Sequence, residues 1–142
     1  MSGQIIVGYD GSEGAKAALP EAMALAKALD KTVTLAFGYE PPAFYAGEPT
    51  GQREAIEAIG EKTLEEGLAA AKAIDASIEV GAETVAGRPA EALIAMAERD
   101  QARMIVVGHH GGGTIRGAIM GSVTFKVLHE SPCPVLVVTT TE

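Results

Sequence analysis

Five short apolar runs alternate with longer stretches in which apolar residues recur every three or four positions, and this alternation constrains the chain most. IIVGY at 5–9, TVTLAFGY at 32–39, SIEVGAETV at 77–85, RMIVVG at 103–108 and PVLVVT at 134–139 have strand length and abundant β-branched residues. The first intervening segment carries Ala15, Ala18, Leu19, Ala22, Leu25, Ala26 and Leu29 on one helical face. Ser12 is placed to cap it, with Glu13 in its first turn. Pro20 lies off the apolar stripe, so the helix is expected to continue through it with a kink. A second helix is predicted over 53–74, with Ile56, Ile59, Leu64, Leu68 and Ala71 inward and Gly60 and Gly67 weakening it. Between strand and helix, 40–52 carries three prolines and two glycines and reads as an irregular connection. Gly87-Arg88-Pro89 opens a third helix, and 118–130 forms the last, with Ile119, Val123 and Val127 in register.

The resulting order, βαβαβαβαβ, is that of an α/β fold built on a parallel sheet with right-handed crossovers. The run 77–85 alternates, with Ile78, Val80, Ala82 and Thr84 on one side and Glu79, Gly81 and Glu83 on the other. It predicts an edge strand with one face in solvent. The run 103–108 is apolar on both faces and predicts a central strand. No repeat, low-complexity tract or linker interrupts residues 1–142, which are expected to form a single domain.

Ligands of open parallel sheets bind beyond the carboxyl ends of the strands, where the strand order reverses. Two loops qualify: Asp10-Gly11-Ser12 after the first strand, and VVGHHGGGTIRGAIMGS at 106–122 after the fourth. If their strands are neighbours, Asp10 and Gly108 line one crevice. The second loop is neither of two common phosphate cradles. Gly112 and Gly117 have the Walker spacing, but Ala118 stands where that motif requires lysine. The dinucleotide fingerprint fails at Arg116, where its last glycine belongs. What remains is G-x2-G-x9-G-S, formed by Gly108, Gly111, Gly121 and Ser122. Gly108 allows a close approach to a ligand as the chain leaves the strand after Val107, and Gly111 permits a turn that aims N–H groups inward. A helix opening near Gly121 and Ser122 adds partial positive charge.

Net charge is −8, with a pI near 4.9, which disfavours binding to nucleic acid but leaves room for a small anion held by backbone N–H groups. No apolar run is long enough to cross a bilayer, and MSGQIIVGYDG lacks the parts of a secretory signal. Cys133 is the single cysteine, so no internal disulfide forms. A cytoplasmic protein without membrane attachment is expected. His109, His110 and distant His129 lack a completing carboxylate or thiolate and read as exposed loop residues rather than metal ligands. Asp10 suits either a ligand or a helix-capping turn; as a phosphoacceptor it lacks the acidic neighbours that Gly8 and Tyr9 replace. Arg116 suits either a phosphate or solvent. Cys133, between Pro132 and Pro134, reads as a packed and inert thiol.

The full glycine spacing with its serine, the opening IIVGYDGS, the Gly87-Arg88-Pro89 turn and the closing VLHESPCPVLVV resemble the ATP-binding branch of the universal stress protein family, nearly from end to end. That resemblance implies a Rossmann-like sheet, similar to adenine nucleotide alpha hydrolases, with strand order 3-2-1-4-5 and helices on both faces. It implies ATP as ligand, with Mg2+ or Mn2+ able to accompany it. Gly121 and Ser122 would contact phosphate, the Ser122 hydroxyl and Val123 N–H donating. Asp10 would meet the ribose directly or through the nucleotide's metal ion. The backbone near Gly38 would border the adenine, at a position where a larger side chain could pack on the base. The family's other branch, a nucleotide-free dimeric interaction protein, tends to lose the spacing that this chain keeps. No Walker lysine or water-positioning base appears, so hydrolysis is slow at most. A nucleotidyl-transfer enzyme would need a further signature that is absent. The implied function is that of a nucleotide-dependent stress-response protein, forming a homodimer through the edge strand Pro134–Thr139.

Overall fold

The computed structural model describes residues 3–39, 50–109 and 121–140. Strands β1 (Ile5–Gly8), β2 (Val33–Tyr39), β3 (Val80–Ala86), β4 (Met104–Gly108) and β5 (Val135–Val138) alternate with helices α1 (Glu13–Leu29), α2 (Thr50–Ile74), α3 (Pro89–Asp100) and α4 (Ser122–Glu130). The strands form one parallel sheet in the order β3-β2-β1-β4-β5. The expected strand order and the central place of β4 are both present.

Each face of the sheet has its own core. On one side α1 and α2 cover Ile5, Val7, Val33, Leu35 and Val106. On the other, α3 and α4 cover Ile6, Ala36, Ile105 and Val107. Successive strand residues therefore enter opposite cores, which is why β1 and β4 are apolar without alternation. Ile5, Ile6 and Ile105 are wholly buried. At about 25 cal/mol per Å2 of apolar surface, burial of one such side chain contributes about 2 kcal/mol.

Local chemistry sets the element ends. Ser12 caps α1 as expected, its hydroxyl oxygen accepting the Ala15 N–H at 3.2 Å. The helix runs unbroken through Pro20, which is exposed on the solvent side, as is Lys16 one turn before it. Helix α2 begins at Thr50, ahead of the expected start at 53. Its two interior glycines are packing sites rather than weaknesses. A Cβ at Gly60 would lie 2.8 Å from the Phe37 ring, and one at Gly67 would lie 2.8 Å from Leu35 and Tyr9. Strand β3 begins at Val80 rather than Ser77. Asp75 accepts both the Ser77 N–H (2.9 Å) and its hydroxyl (2.6 Å), and this turn occupies the first expected strand residues. Nor is the outer face of β3 left to solvent alone: Glu83 receives two hydrogen bonds of 3.0 Å from the Arg99 guanidinium of α3. The expected helical residues 118–120 lie outside the described residues.

Candidate functional site

The strand order reverses at β1, between β2 on one side and β4 on the other, and a cleft opens beyond the carboxyl ends of these three strands. Gly8, Ala36, Gly38, Val107 and Gly108 line it from the sheet, Pro89 and Leu93 from α3, and Val123 and Thr124 from α4. Asp10, Ser12 and Ala15 stand on the α1 side. The space measures about 570 Å3 with its open mouth included.

Helices α1, α3 and α4 all begin at this cleft, and they are not equivalent. Helix α1 is closed by its own residues: Ser12 accepts from Ala15, and Asp10 Oδ1 accepts the Ser12 N–H at 2.9 Å. Arg88 and Gly121, which precede α3 and α4, supply no side-chain cap. Pro89 removes one donor at α3, so among the described residues α4 presents the most open set of N–H groups, those of its first turn. With the partial positive charge of a helix N-terminus, that tip suits an anion even on an acidic protein.

The predicted site residues divide by position. Asp10, Gly38, Val107, Gly108 and Val123 line the cleft together, and Gly121 and Ser122 form the adjoining start of α4. Gly111 and Arg116, like His110, lie outside the described residues. Asp10 is exposed and serves the α1 turn through one carboxylate oxygen while lining the cleft. Val123 lies half-buried at the start of α4. The Gly121 N–H is already bonded to the His109 carbonyl at 3.1 Å.

One expectation about glycine changes, and a second glycine gains a packing role. A Cβ on Gly38 would sit 2.8 Å from Pro89 Cα and 3.2 Å from Ala92 Cβ, so that side of Gly38 is filled by α3, not by a base-packing position. At Gly108 a Cβ would lie 2.6 Å from the Gly14 carbonyl carbon and oxygen. On its Cβ side Gly108 permits a close approach to α1, which lets that helix lie against the end of β4.

Sequence reasoning missed Thr124. Apart from the tyrosines it is the one buried polar side chain among the described residues, and its hydroxyl donates to the Gly108 carbonyl at 2.7 Å. Its signal was a hydroxyl on the inward face of α4, between Val123 and Val127. Tyr9 was missed as well: buried beneath the cleft, its phenol is pushed up from its ordinary pKa by burial first and then by the Glu66 and Asp10 charges. It stays neutral at physiological pH. Cys133 lies away from the cleft in a turn where the Ser131 hydroxyl accepts its N–H at 3.1 Å and donates to its carbonyl at 2.7 Å. His129 stacks on Phe125, ring centroids 4.3 Å apart.

Residues 1–139 match the model of the universal stress protein family. A Thermus aquaticus protein described as a universal stress protein in the QAH/OAS sulfhydrylase 3' region is 38% identical over 134 residues, which cover 94% of this chain and 96% of that one. A crystal structure described as a universal stress protein in complex with cAMP is 32% identical, with a TM-score of 0.71 over 99% of this chain and 100% of its own. The universal stress protein structure from Archaeoglobus fulgidus shares the fold at a TM-score of 0.80 and 18% identity, covering 96% of this chain and 98% of that one.

Proposed function

Because the chain belongs to the universal stress protein family, we propose that it binds an adenine nucleotide, ATP in particular, in the cleft at the ends of β1, β2 and β4. The observation that carries this reading is the α4 N-terminus, which among the described residues has no side-chain cap and opens into the cleft at the strand ends. The cAMP held by the 32%-identical structure supports the same ligand class. The apolar part, built from Ala36, Pro89, Leu93 and Val107, suits the base. The free oxygen of Asp10 suits a ribose hydroxyl, and the α4 tip at Ser122 and Val123 suits phosphate. Gly111 and Arg116 belong to the same reading through the glycine spacing.

Among the described residues no cluster of three or more His, Cys, Asp or Glu side chains could hold a metal. An accompanying Mg2+ or Mn2+ would therefore take most of its ligands from phosphate and water, with Asp10 the nearest protein candidate. No water-positioning base is assigned, so the reading is a nucleotide-dependent regulatory protein with slow hydrolysis at most. A cytoplasmic location, expected from the sequence, is part of the proposal; separately, no described helix is long and apolar enough to cross a membrane. A homodimer through β5 completes the reading, because that strand is apolar and forms an edge of the sheet.

The test is to denature the purified protein, chromatograph what is released, and titrate the stripped, refolded protein with ATP, AMP and cAMP by calorimetry. An adenine nucleotide in the extract or saturable heat with ATP is expected. A blank extract with no heat refutes the proposal. Gly121→Val adds bulk at the α4 tip, at φ −63° and ψ 152°, which valine tolerates. Binding is expected to disappear while the melting temperature stays near wild type. Unchanged ATP affinity would put the phosphates elsewhere.

A further inference from the structure

We propose that Thr124 is a positioning residue for the phosphate end of the nucleotide, acting through the Gly108 carbonyl; this rests on the nucleotide reading above. Thr124 is 3% exposed, on a helix face otherwise given to Val123 and Val127. Valine has nearly the same shape, so packing does not require a hydroxyl there. The hydroxyl is accounted for by its acceptor: Oγ1 donates to the Gly108 carbonyl at 2.7 Å and lies 3.4 Å from the His109 carbonyl. An unpaired hydroxyl or carbonyl at that depth would be costly.

A second hydrogen bond works beside it. The Gly121 N–H donates to the His109 carbonyl at 3.1 Å. Together the two bonds join the exit of β4 to the entry of α4. Gly108 cannot bring a side chain to this junction, since the Gly14 backbone fills the space a Cβ would need. Among the described residues the side-chain tie comes from α4, where Thr124 is the buried polar residue that makes it.

Two consequences bear on an anion. The tie fixes the α4 tip, with the Val123 and Thr124 N–H groups of its first turn, against the strand end that lines the same cleft. It also engages the Gly108 carbonyl, whose partial negative charge would otherwise oppose a phosphate on that wall. Both effects act on phosphate and leave the base and ribose almost untouched.

The experiment compares wild type, Thr124→Val and Thr124→Ser for ATP and for adenosine by calorimetry, and follows amide exchange at Gly121 without ligand. Thr124→Val should weaken ATP by roughly tenfold, as expected for one lost positioning hydrogen bond, while adenosine stays within about twofold. It should also speed Gly121 exchange. Thr124→Ser should restore most of the ATP affinity. Equal losses for ATP and adenosine would reduce Thr124 to a packing residue and overturn the proposal, as would failure of serine to rescue. A wild type that binds while Thr124→Val matches it overturns this proposal alone. A wild type that binds neither ligand overturns the nucleotide reading, and the proposal with it.

Discussion

At Gly108 the polypeptide leaves β4 against the first turn of α1, where a Cβ would lie 2.6 Å from the Gly14 backbone. Backbone on both sides cannot swing aside as a side chain can, so Gly108→Ala must separate helix from strand. An overpacking cost of about 1–3 kcal/mol is expected. It should read as a lower urea midpoint with an unchanged denaturant slope. Gly81, on the edge strand β3, is the control. A Cβ there meets nothing within 4 Å, and alanine should leave the midpoint unchanged or raise it slightly. Equal midpoints for the two variants would refute the packing assignment. The spacing of Gly108, Gly121 and Ser122 was legible in the sequence because turns and ligand loops select those residue types. Their spatial partners were not, since Gly14 stands 94 positions from Gly108 and Pro89 stands 51 from Gly38.

The elements themselves were legible wherever hydrophobic periodicity was strong. All five strands and four helices fall where the alternation puts them, and most departures are end effects of local polar chemistry. The late start of β3 is the clearest, because Ile78 and Val80 continue the apolar alternation while Asp75 draws Ser77 into a turn. That turn also ties α2 to α1, since Lys27 Nζ reaches Asp75 Oδ2 at 3.2 Å. The Ser77 hydroxyl, then its N–H, then Lys27 hold the Asp75 carboxyl down to about 2 from its ordinary 3.8. A carboxyl depressed in the folded state stabilises fully above its unfolded pKa, and loses that contribution as pH falls through the folded value. Wild type should therefore melt above Asp75→Asn near about pH 6, with the gap closing as pH drops from about 4 to about 2. Paired thermal melts across that range provide the check. A gap independent of pH would mean that the ionised carboxyl does not hold the turn. Thr124 shows the opposite limit: its residue type and helix face were readable, but its acceptor lies on another element and became visible only with the fold.

At the scale of the molecule, the sheet order leaves β3 and β5 at its edges, and only β5 is apolar throughout. Within β5 the two sides of the backbone are distinguishable. Ile105 donates to the Pro134 carbonyl at 3.0 Å and His109 to the Val138 carbonyl at 2.9 Å, so 134, 136 and 138 face β4. The N–H and C=O groups of Val135 and Val137 point to the open edge. In a two-fold antiparallel pairing centred on Leu136, Val135 of one protomer would bond to Val137 of the other, closing both edges at once. The charge of −8 on each protomer opposes this association, so added salt should strengthen it. Val137→Pro removes one outward donor while leaving the β4 ladder intact, a position where an edge strand tolerates proline. Sedimentation at micromolar concentration should show a wild-type dimer and a Val137→Pro monomer with unchanged circular dichroism. A monomeric wild type rejects the β5 dimer outright. A dimer that survives the proline would have to use another surface, with exposed Phe125 and Leu128 on α4 the next to replace.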